Sequence, residues 1–317
     1  MLDELERSPL LADLGPMDRR PWRVAATVPL GAAAAIPAAV VGGALAATAF
    51  IPLVGAATVG EMIEQIGRMQ APPGLAGTLF TLALLAASNG AMALAFVGMA
   101  SLLHKRRLKS YLTAAPRFRW RLMLAGLVLL AIVVGPLLGL SAVFDPKGVH
   151  PPILSISPHF GDRLLYLVAV IVLLLAAAAS EELVFRGWLL KTLGSFTAHP
   201  LVLLPVSAGL FSLIHMDPNL DAFLMRLTMG LGLGWMALRL GGIEFAIGAH
   251  AANNILILLF LQPMGLKPDA GHPFPLEVLV IAPLMLVGYV LLAELAARWT
   301  PLRRWTGLGE PRLTATA

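Results

Sequence analysis

The stretch Ser180-Glu181-Glu182-Leu183-Val184-Phe185-Arg186 places two carboxylates and a guanidinium inside an apolar run from Leu164 to Leu190. Charged side chains are rare inside membrane-spanning segments, and those that occur usually face a bundle interior or a wet cavity. Glu182 and Arg186 are four residues apart, so a helix places them on one face, with the acid N-terminal to the base. Glu181 lies about 100° further around the helix. The stretch therefore predicts a membrane helix with one paired and one unpaired carboxylate.

The two acids are expected to differ in role. Glu182 and Arg186 alone are also compatible with a buried ion pair that only fixes helix packing. Glu181 has no cation within reach on its own helix, so this explanation fits it less well. We assign Glu182 and Arg186 mainly to structure, and we expect Glu181 to point away from them, towards a cavity.

The composition is that of a polytopic membrane protein. Of 317 residues, 58% are hydrophobic and 13% are charged, whereas soluble domains carry roughly 25% charged residues. The net charge of +5 comes with basic residues clustered between apolar runs, which the positive-inside bias explains better than nucleic-acid binding does. The absence of cysteine excludes disulfides, thiolate nucleophiles and cysteine metal ligands. The mixed charges of residues 1–23 and the long apolar run after them do not match a cleavable signal peptide.

Eight apolar runs predict an all-α bundle of about eight transmembrane helices. The predicted spans are 24–59 (kinked at its prolines), 78–103, 122–143, 164–193, 200–215, 222–240, 243–261 and 276–297. The basic loop 105–121 and the arginines after 297 then fall on one side, which predicts that both termini are cytoplasmic. Four parts follow: a loosely ordered N-terminal tail (1–23), three N-terminal helices (24–160), the core that carries the acidic stretch (161–297) and a C-terminal tail (298–317). Gly230-x-x-x-Gly234 predicts a close helix contact in the core.

Two of the seven histidines, His215 and His250, lie in predicted apolar runs, and the others fall in loops or at span ends. Phe211 precedes His215 by one helical turn, and Asn254, next to Asn253, follows His250 by one turn on the same face. A single such histidine can be a packing residue. Two of them, with an amide and two acids, indicate a site.

These residue types suit hydrolysis. A carboxylate in a partly desolvated pocket can take a proton from water, and an imidazole beside it can orient that water or move the proton. A second imidazole and an amide can donate hydrogen bonds to the oxyanion that forms when an amide is attacked.

Three motifs in order, Glu181-Glu182-x-x-x-Arg186, Phe211-x-x-x-His215 and His250-x-x-x-Asn254, resemble the CPBP family of CAAX proteases and bacteriocin-processing enzymes. This family, also called Abi, includes the Rce1-type prenyl proteases, and the resemblance covers roughly residues 164–261. It implies an intramembrane endopeptidase in which Glu181 activates water with His215, while His250 and Asn254 stabilise the oxyanion. The candidate catalytic set is Glu181, Glu182, His215, His250 and Asn254, with Arg186, Phe211 and Asn253 in support.

A zinc site is the alternative chemistry. Two histidines and a glutamate can bind zinc, and the ligands would be Glu181, His215 and His250. The zincin pattern H-E-x-x-H is absent, and the resemblance implies glutamate-dependent hydrolysis. We therefore expect no metal cofactor.

Two other functions remain open: a non-catalytic immunity or scaffold protein, and a proton-coupled transporter with buried acids. The intact motifs and the lack of an internal repeat favour the protease. The expected partners are membrane lipids and a peptide or protein substrate, prenylated or not, and not nucleic acid. The expected location is the inner, cytoplasmic membrane of a bacterium.

The predicted depths of the site residues do not agree. At about 1.5 Å per residue, Glu181 lies roughly 18 Å, His215 roughly 22 Å and His250 roughly 10 Å from the predicted cytoplasmic ends of their spans.

Overall fold

The computed structural model describes residues 1–144, 151–266 and 271–308, and within them the chain is helical, with one isolated β-bridge between Thr113 and Gly242. The helices, in chain order, are α1 (Leu2–Glu6), α2 (Pro21–Val54), α3 (Ala56–Gly67), α4 (Gly74–His104), α5 (Trp120–Phe144), α6 (Pro152–Ser155), α7 (Phe160–Gly194), α8 (Pro200–Leu213), α9 (Leu220–Leu240), α10 (Glu244–Leu261), α11 (Val278–Arg298) and α12 (Thr300–Thr306). Residues 309–317 of the predicted C-terminal tail lie outside the described residues.

The predicted all-α membrane bundle is confirmed. Among the described residues, six helices are long and apolar enough to cross a bilayer: α2, α4, α5, α7, α10 and α11. The other two predicted spans are also helical, but they differ from these six in length or in charge. Helix α8 has 14 residues and reaches about 21 Å, less than the roughly 30 Å hydrocarbon core. Helix α9 has 21 residues but carries Asp221, Arg226 and Arg239.

Helix α10 lies at the centre of the bundle. In its apolar window 72% of the residues are buried, against 22–33% for the other five candidate spans. The outer helices instead present apolar side chains outward, such as Ile36 and Val40 on α2, which are 66% and 68% exposed. In a membrane, outward-facing side chains contact lipid and are therefore apolar. These apolar faces identify the chain as an integral membrane protein.

Small residues let the core helices approach closely. On α9, a Cβ at Gly230 would lie 2.8 Å from the Ala208 Cβ, and one at Gly234 would lie 2.8 Å from a Leu204 methyl group of α8. The predicted Gly-x-x-x-Gly contact is therefore confirmed. Gly248 of α10 lies in the same way against the backbone of α5 at Met123. Residues without side chains let these backbones approach where van der Waals packing is the main attraction between helices.

The N-terminal segment is packed, and the expectation of a loose tail is wrong. Leu5 and Leu10 are fully buried in a cluster that includes Leu190 and Leu203 of the core. The Ser8 hydroxyl donates to the Leu238 carbonyl at 2.5 Å, and Lys191 Nζ lies 2.7 Å from Asp13 Oδ1. The prediction followed the mixed charges of this segment and overlooked its leucines, whose burial outweighs the cost of ordering a short chain.

The turn between α9 and α10 lies inside the protein. Gly241 adopts a φ of 70°, and Gly242, Ile243 and Glu244 are buried. Arg119 binds both carboxylate oxygens of Glu244, with Nε–Oε1 at 2.9 Å and Nη2–Oε2 at 2.8 Å. This bidentate pair satisfies the buried acid at the first turn of α10.

Candidate active site

Helix α7 changes its winding where its acids lie. It is α-helical from Phe160 to Glu182 and π-helical from Leu183 to Leu189. A π-helical turn holds more residues than an α-helical one, and such turns are frequent at functional sites. The change follows directly after the two glutamates and includes Arg186.

Glu182 and Arg186 form a buried ion pair, as the spacing predicted. Both side chains are 0% exposed, and Arg186 Nη1 lies 2.9 Å from Glu182 Oε1. Arg186 Nη2 also donates to the Gly230 carbonyl at 3.3 Å, and its guanidinium lies 4.3 Å from the centre of the Phe211 ring. Among the described residues, Glu182 Oε2 is buried without a hydrogen-bond partner, so the pair does not use all of the acid's hydrogen-bonding capacity.

His250 joins the two acids. Its Nδ1 donates to Glu182 Oε1 at 2.8 Å, and its Nε2 lies 3.8 Å from Glu181 Oε2. The Glu181 side chain is 27% exposed, whereas Glu182 is fully buried. Glu181 thus lies beside His250, in the direction that the sequence predicted, but the sequence did not predict that Glu182 contacts the opposite nitrogen of the same imidazole. Glu182 orients His250 in addition to pairing with Arg186.

Phe211 links the two imidazoles. Its ring centre lies 5.0 Å from that of His215 and 5.9 Å from that of His250. His215 lies two residues beyond the end of α8, is exposed, and donates from Nδ1 to the Phe211 carbonyl at 2.8 Å. Because a carbonyl only accepts, this bond leaves Nε2 as the nitrogen free to meet water. Glu181 and His250 both lie within electrostatic range of this imidazole.

The two asparagines are half-buried on α10, one turn after His250. Asn253 Nδ2 donates to Asn254 Oδ1 at 3.3 Å. Within the described part of the chain, neither amide contacts the acids or the imidazoles. The structure thus brings together the acids, Arg186, Phe211 and the histidines, and places Asn254 on the same helix as His250 without a direct contact.

The disagreement in depth comes from the assumption that α10 begins at the membrane surface. Ile243 is 0% exposed, because the turn before it is covered by the N-terminal segment and by the chain around Thr113. Helix α10 therefore begins inside the protein, and His250 reaches Glu182 although it lies only two turns into its helix.

An ion pair that was not predicted from the sequence lies beside His215. Arg226 contacts Asp217 Oδ2 through both Nη1 and Nη2 at 3.0 Å, and the Asn219 backbone donates to Asp217 Oδ1 at 3.0 Å. Burial alone would raise the pKa of Asp217, but the bonds from Asn219 and Arg226 outweigh it and hold that pKa below its usual range. Arg226 could have been selected from the sequence, because it is a charged residue in the apolar run 222–240, just as Arg186 is in its own run.

The arrangement of acids and imidazoles does not match a zinc site. Zinc ligands lie about 2.0–2.2 Å from the ion, and the described residues contain no group of three or more histidine, aspartate or glutamate side chains placed to hold a metal. Metal independence itself stays a prediction.

Residues 163–256 match the family model described as "Type II CAAX prenyl endopeptidase Rce1-like". The chain is also similar to the uncharacterized protein YyaK of Bacillus subtilis (strain 168), with 29% identity over 164 residues that cover 50% of this chain and 53% of that relative. The chain thus spans about half the length of this relative. No solved structure matches. The expected resemblance to Rce1-like CAAX proteases is confirmed, and all the candidate site residues lie inside the matched segment.

Proposed function

We propose that this chain, whose residues 163–256 match the Rce1-like CAAX prenyl endopeptidase model, is an intramembrane endopeptidase. Its substrate is a membrane-associated or prenylated-type peptide or protein, and the nucleophile is a water molecule activated by a glutamate. One observation carries the proposal: a half-buried carboxylate, Glu181, lies 3.8 Å from an imidazole that a second, fully buried carboxylate holds in place. An ion pair that only stabilises helix packing would not need Glu181 beside the same imidazole.

Glu181 is the better candidate for the base. Its partial exposure allows water to reach it, whereas Glu182 is fully buried and paired with Arg186. Glu181 takes one proton from water as the oxygen attacks the carbonyl carbon of the scissile bond. His215, with Nε2 free, orients the water or carries the proton onward.

The second imidazole stabilises the intermediate. The carbonyl oxygen gains negative charge when the water oxygen bonds to carbon, and hydrogen bonds from His250 Nε2, when protonated, and from Asn254 would stabilise that charge. The bond from His250 Nδ1 to Glu182 fixes which nitrogen faces the substrate. Cleavage of the C–N bond is complete when the proton taken from water reaches the leaving amine.

The test compares Glu181→Gln and Glu182→Gln in the full chain, reconstituted in liposomes with a peptide library. Glu181→Gln should abolish cleavage while substrate binding and thermal stability stay close to wild type, because the amide keeps the shape and loses only the basic oxygen. Glu182→Gln should lower both stability and activity. The matched control is Glu61→Gln, an exposed acid on α3, which should change neither.

Two results would contradict the assignment. If Glu181→Gln retains substantial activity while Glu182→Gln is folded and inactive, the roles of the two acids are reversed. If both variants cleave at the wild-type rate, glutamate-driven hydrolysis is refuted.

A further inference from the structure

A cavity with a basic lining lies at the end of the bundle that carries the positive loop. Its volume is about 950 Å³, and its walls come from the chain before α5, the C-terminal ends of α9 and α11, and helix α12. Its lining contains six arginines and, within the described residues, no acidic side chain; the arginines are Arg117, Arg119, Arg121, Arg239, Arg303 and Arg304. No candidate catalytic residue lines this space, here called the basic cavity.

Most of this positive charge is not neutralised by the described residues. Arg119 is paired with Glu244 and Arg239 with Glu294, at 2.8 Å in each case. The other four arginines are exposed, and among the described residues none of their guanidinium groups takes part in an ion pair or a hydrogen bond. A cleft lined by charge of one sign concentrates the field and attracts ions of the opposite sign. The basic cavity is therefore suited to an anion.

The border of the basic cavity indicates where that anion comes from. Trp120 and Trp305 line it and are 68% and 44% exposed. From Trp120, helix α5 continues into the bundle with Leu124 and Val128 exposed at 44% and 43%. Tryptophan is enriched at the level of lipid headgroups, so the cavity lies where the outer surface changes from apolar to basic. A soluble anion would not need an apolar surface beside its site.

We propose that the basic cavity binds the headgroup of an anionic phospholipid, with the phosphate among the arginines and the acyl chains along α5. The planar guanidinium presents paired donors that match phosphate oxygens, and basic pockets between membrane helices are known sites for acidic headgroups. Two of the unpaired arginines, Arg117 and Arg121, flank the start of α5, and the other two lie on α12. A headgroup held between these elements would also tie α12 to the bundle.

The experiment uses the full chain, purified and delipidated in a neutral detergent. Native mass spectrometry measures the binding of phosphatidylglycerol, with phosphatidylcholine as the neutral lipid and millimolar inorganic phosphate as a competitor. The test variant is Arg303→Gln/Arg304→Gln. The matched control is Arg19→Gln/Arg20→Gln, which removes the same charge from two exposed residues outside the cavity.

The wild-type chain should bind one phosphatidylglycerol in clear preference to phosphatidylcholine, and phosphate should not displace it. Each arginine near an anionic lipid contributes about fivefold in affinity, so the test variant should bind roughly 30-fold more weakly. The control should bind as wild type does, and Arg303→Lys/Arg304→Lys should restore only part of the affinity, because lysine keeps the charge without the paired donors. Equal binding of the two lipids, or an equal loss in the control, would overturn the proposal. Displacement by inorganic phosphate would show a site for a soluble anion instead.

Discussion

Replacing Arg186 by methionine tests whether the ion pair of α7 holds the core together. The substitution keeps an unbranched side chain that follows the aliphatic part of arginine, and it removes three interactions of the guanidinium: the ion pair to Glu182 at 2.9 Å, the bond to the Gly230 carbonyl at 3.3 Å and the contact with the Phe211 ring at 4.3 Å. Because both members of the pair are 0% exposed, the remaining carboxylate cannot be solvated by bulk water.

The expected loss follows from that burial. Removing one partner of a buried ion pair costs about 3–5 kcal/mol, since the other charge is left uncompensated. Glu182 keeps its bond from His250, which places the expected loss at the lower end, about 3 kcal/mol. The double variant Glu182→Gln/Arg186→Met removes both charges and retains an acceptor for His250. It should therefore be more stable than the sum of the two single losses predicts, by about 1–3 kcal/mol.

The measurement is the free energy of reversible unfolding in mixed detergent micelles. Arg68→Met is the matched control, because Arg68 and Glu64 form an ion pair with the same four-residue spacing, at 2.6 Å, but with side chains that are 67% and 62% exposed. That variant should lose less than about 1 kcal/mol. If Arg186→Met behaves like Arg68→Met, or if the two single losses simply add in the double variant, the buried pair does not stabilise the core as argued here.

Further predictions concern metal, pH, packing and topology. Purified protein should carry much less than one zinc per chain and keep its activity after chelation; zinc lost together with activity would contradict this. The lowered pKa of Asp217 means that its contribution to stability is present above the unfolded pKa and lost as pH falls through the folded value. The stability difference between wild type and Asp217→Asn should therefore shrink on acidification below about pH 4, and a constant difference would rule out this linkage. Leu10→Ala should lower the free energy of unfolding by about 2–5 kcal/mol, since Leu10 is fully buried. An unchanged free energy of unfolding would show that the N-terminal segment does not pack on the core in the membrane. Reporter fusions near residues 110 and 310 should read cytoplasmic and one near 155 should not, and the reverse pattern would invert the topology.

Hydropathy was sufficient to predict the helices, because each apolar run must satisfy its backbone groups internally in lipid. The four-residue spacing was also sufficient for the Glu182–Arg186 pair, since it depends only on one helix. The bond from His250 to Glu182 was not predictable in the same way. It joins residues 68 positions apart, and it depends on where α10 begins relative to α7, which no local pattern encodes.

The position of His250 depends on residues far from the chemistry. Helix α10 can begin inside the protein only if its first acid, Glu244, is neutralised there, and Arg119 does so with two hydrogen bonds. Gly241, with a φ of 70°, makes the tight turn, and Pro9 of the N-terminal segment covers it. If Arg119 were lost, an unpaired carboxylate would remain buried at the first turn of α10, and the helix could relieve it only by moving towards water. Such a shift would draw His250 away from both glutamates, so the basic loop and the N-terminal segment are part of what places the imidazole at the acids.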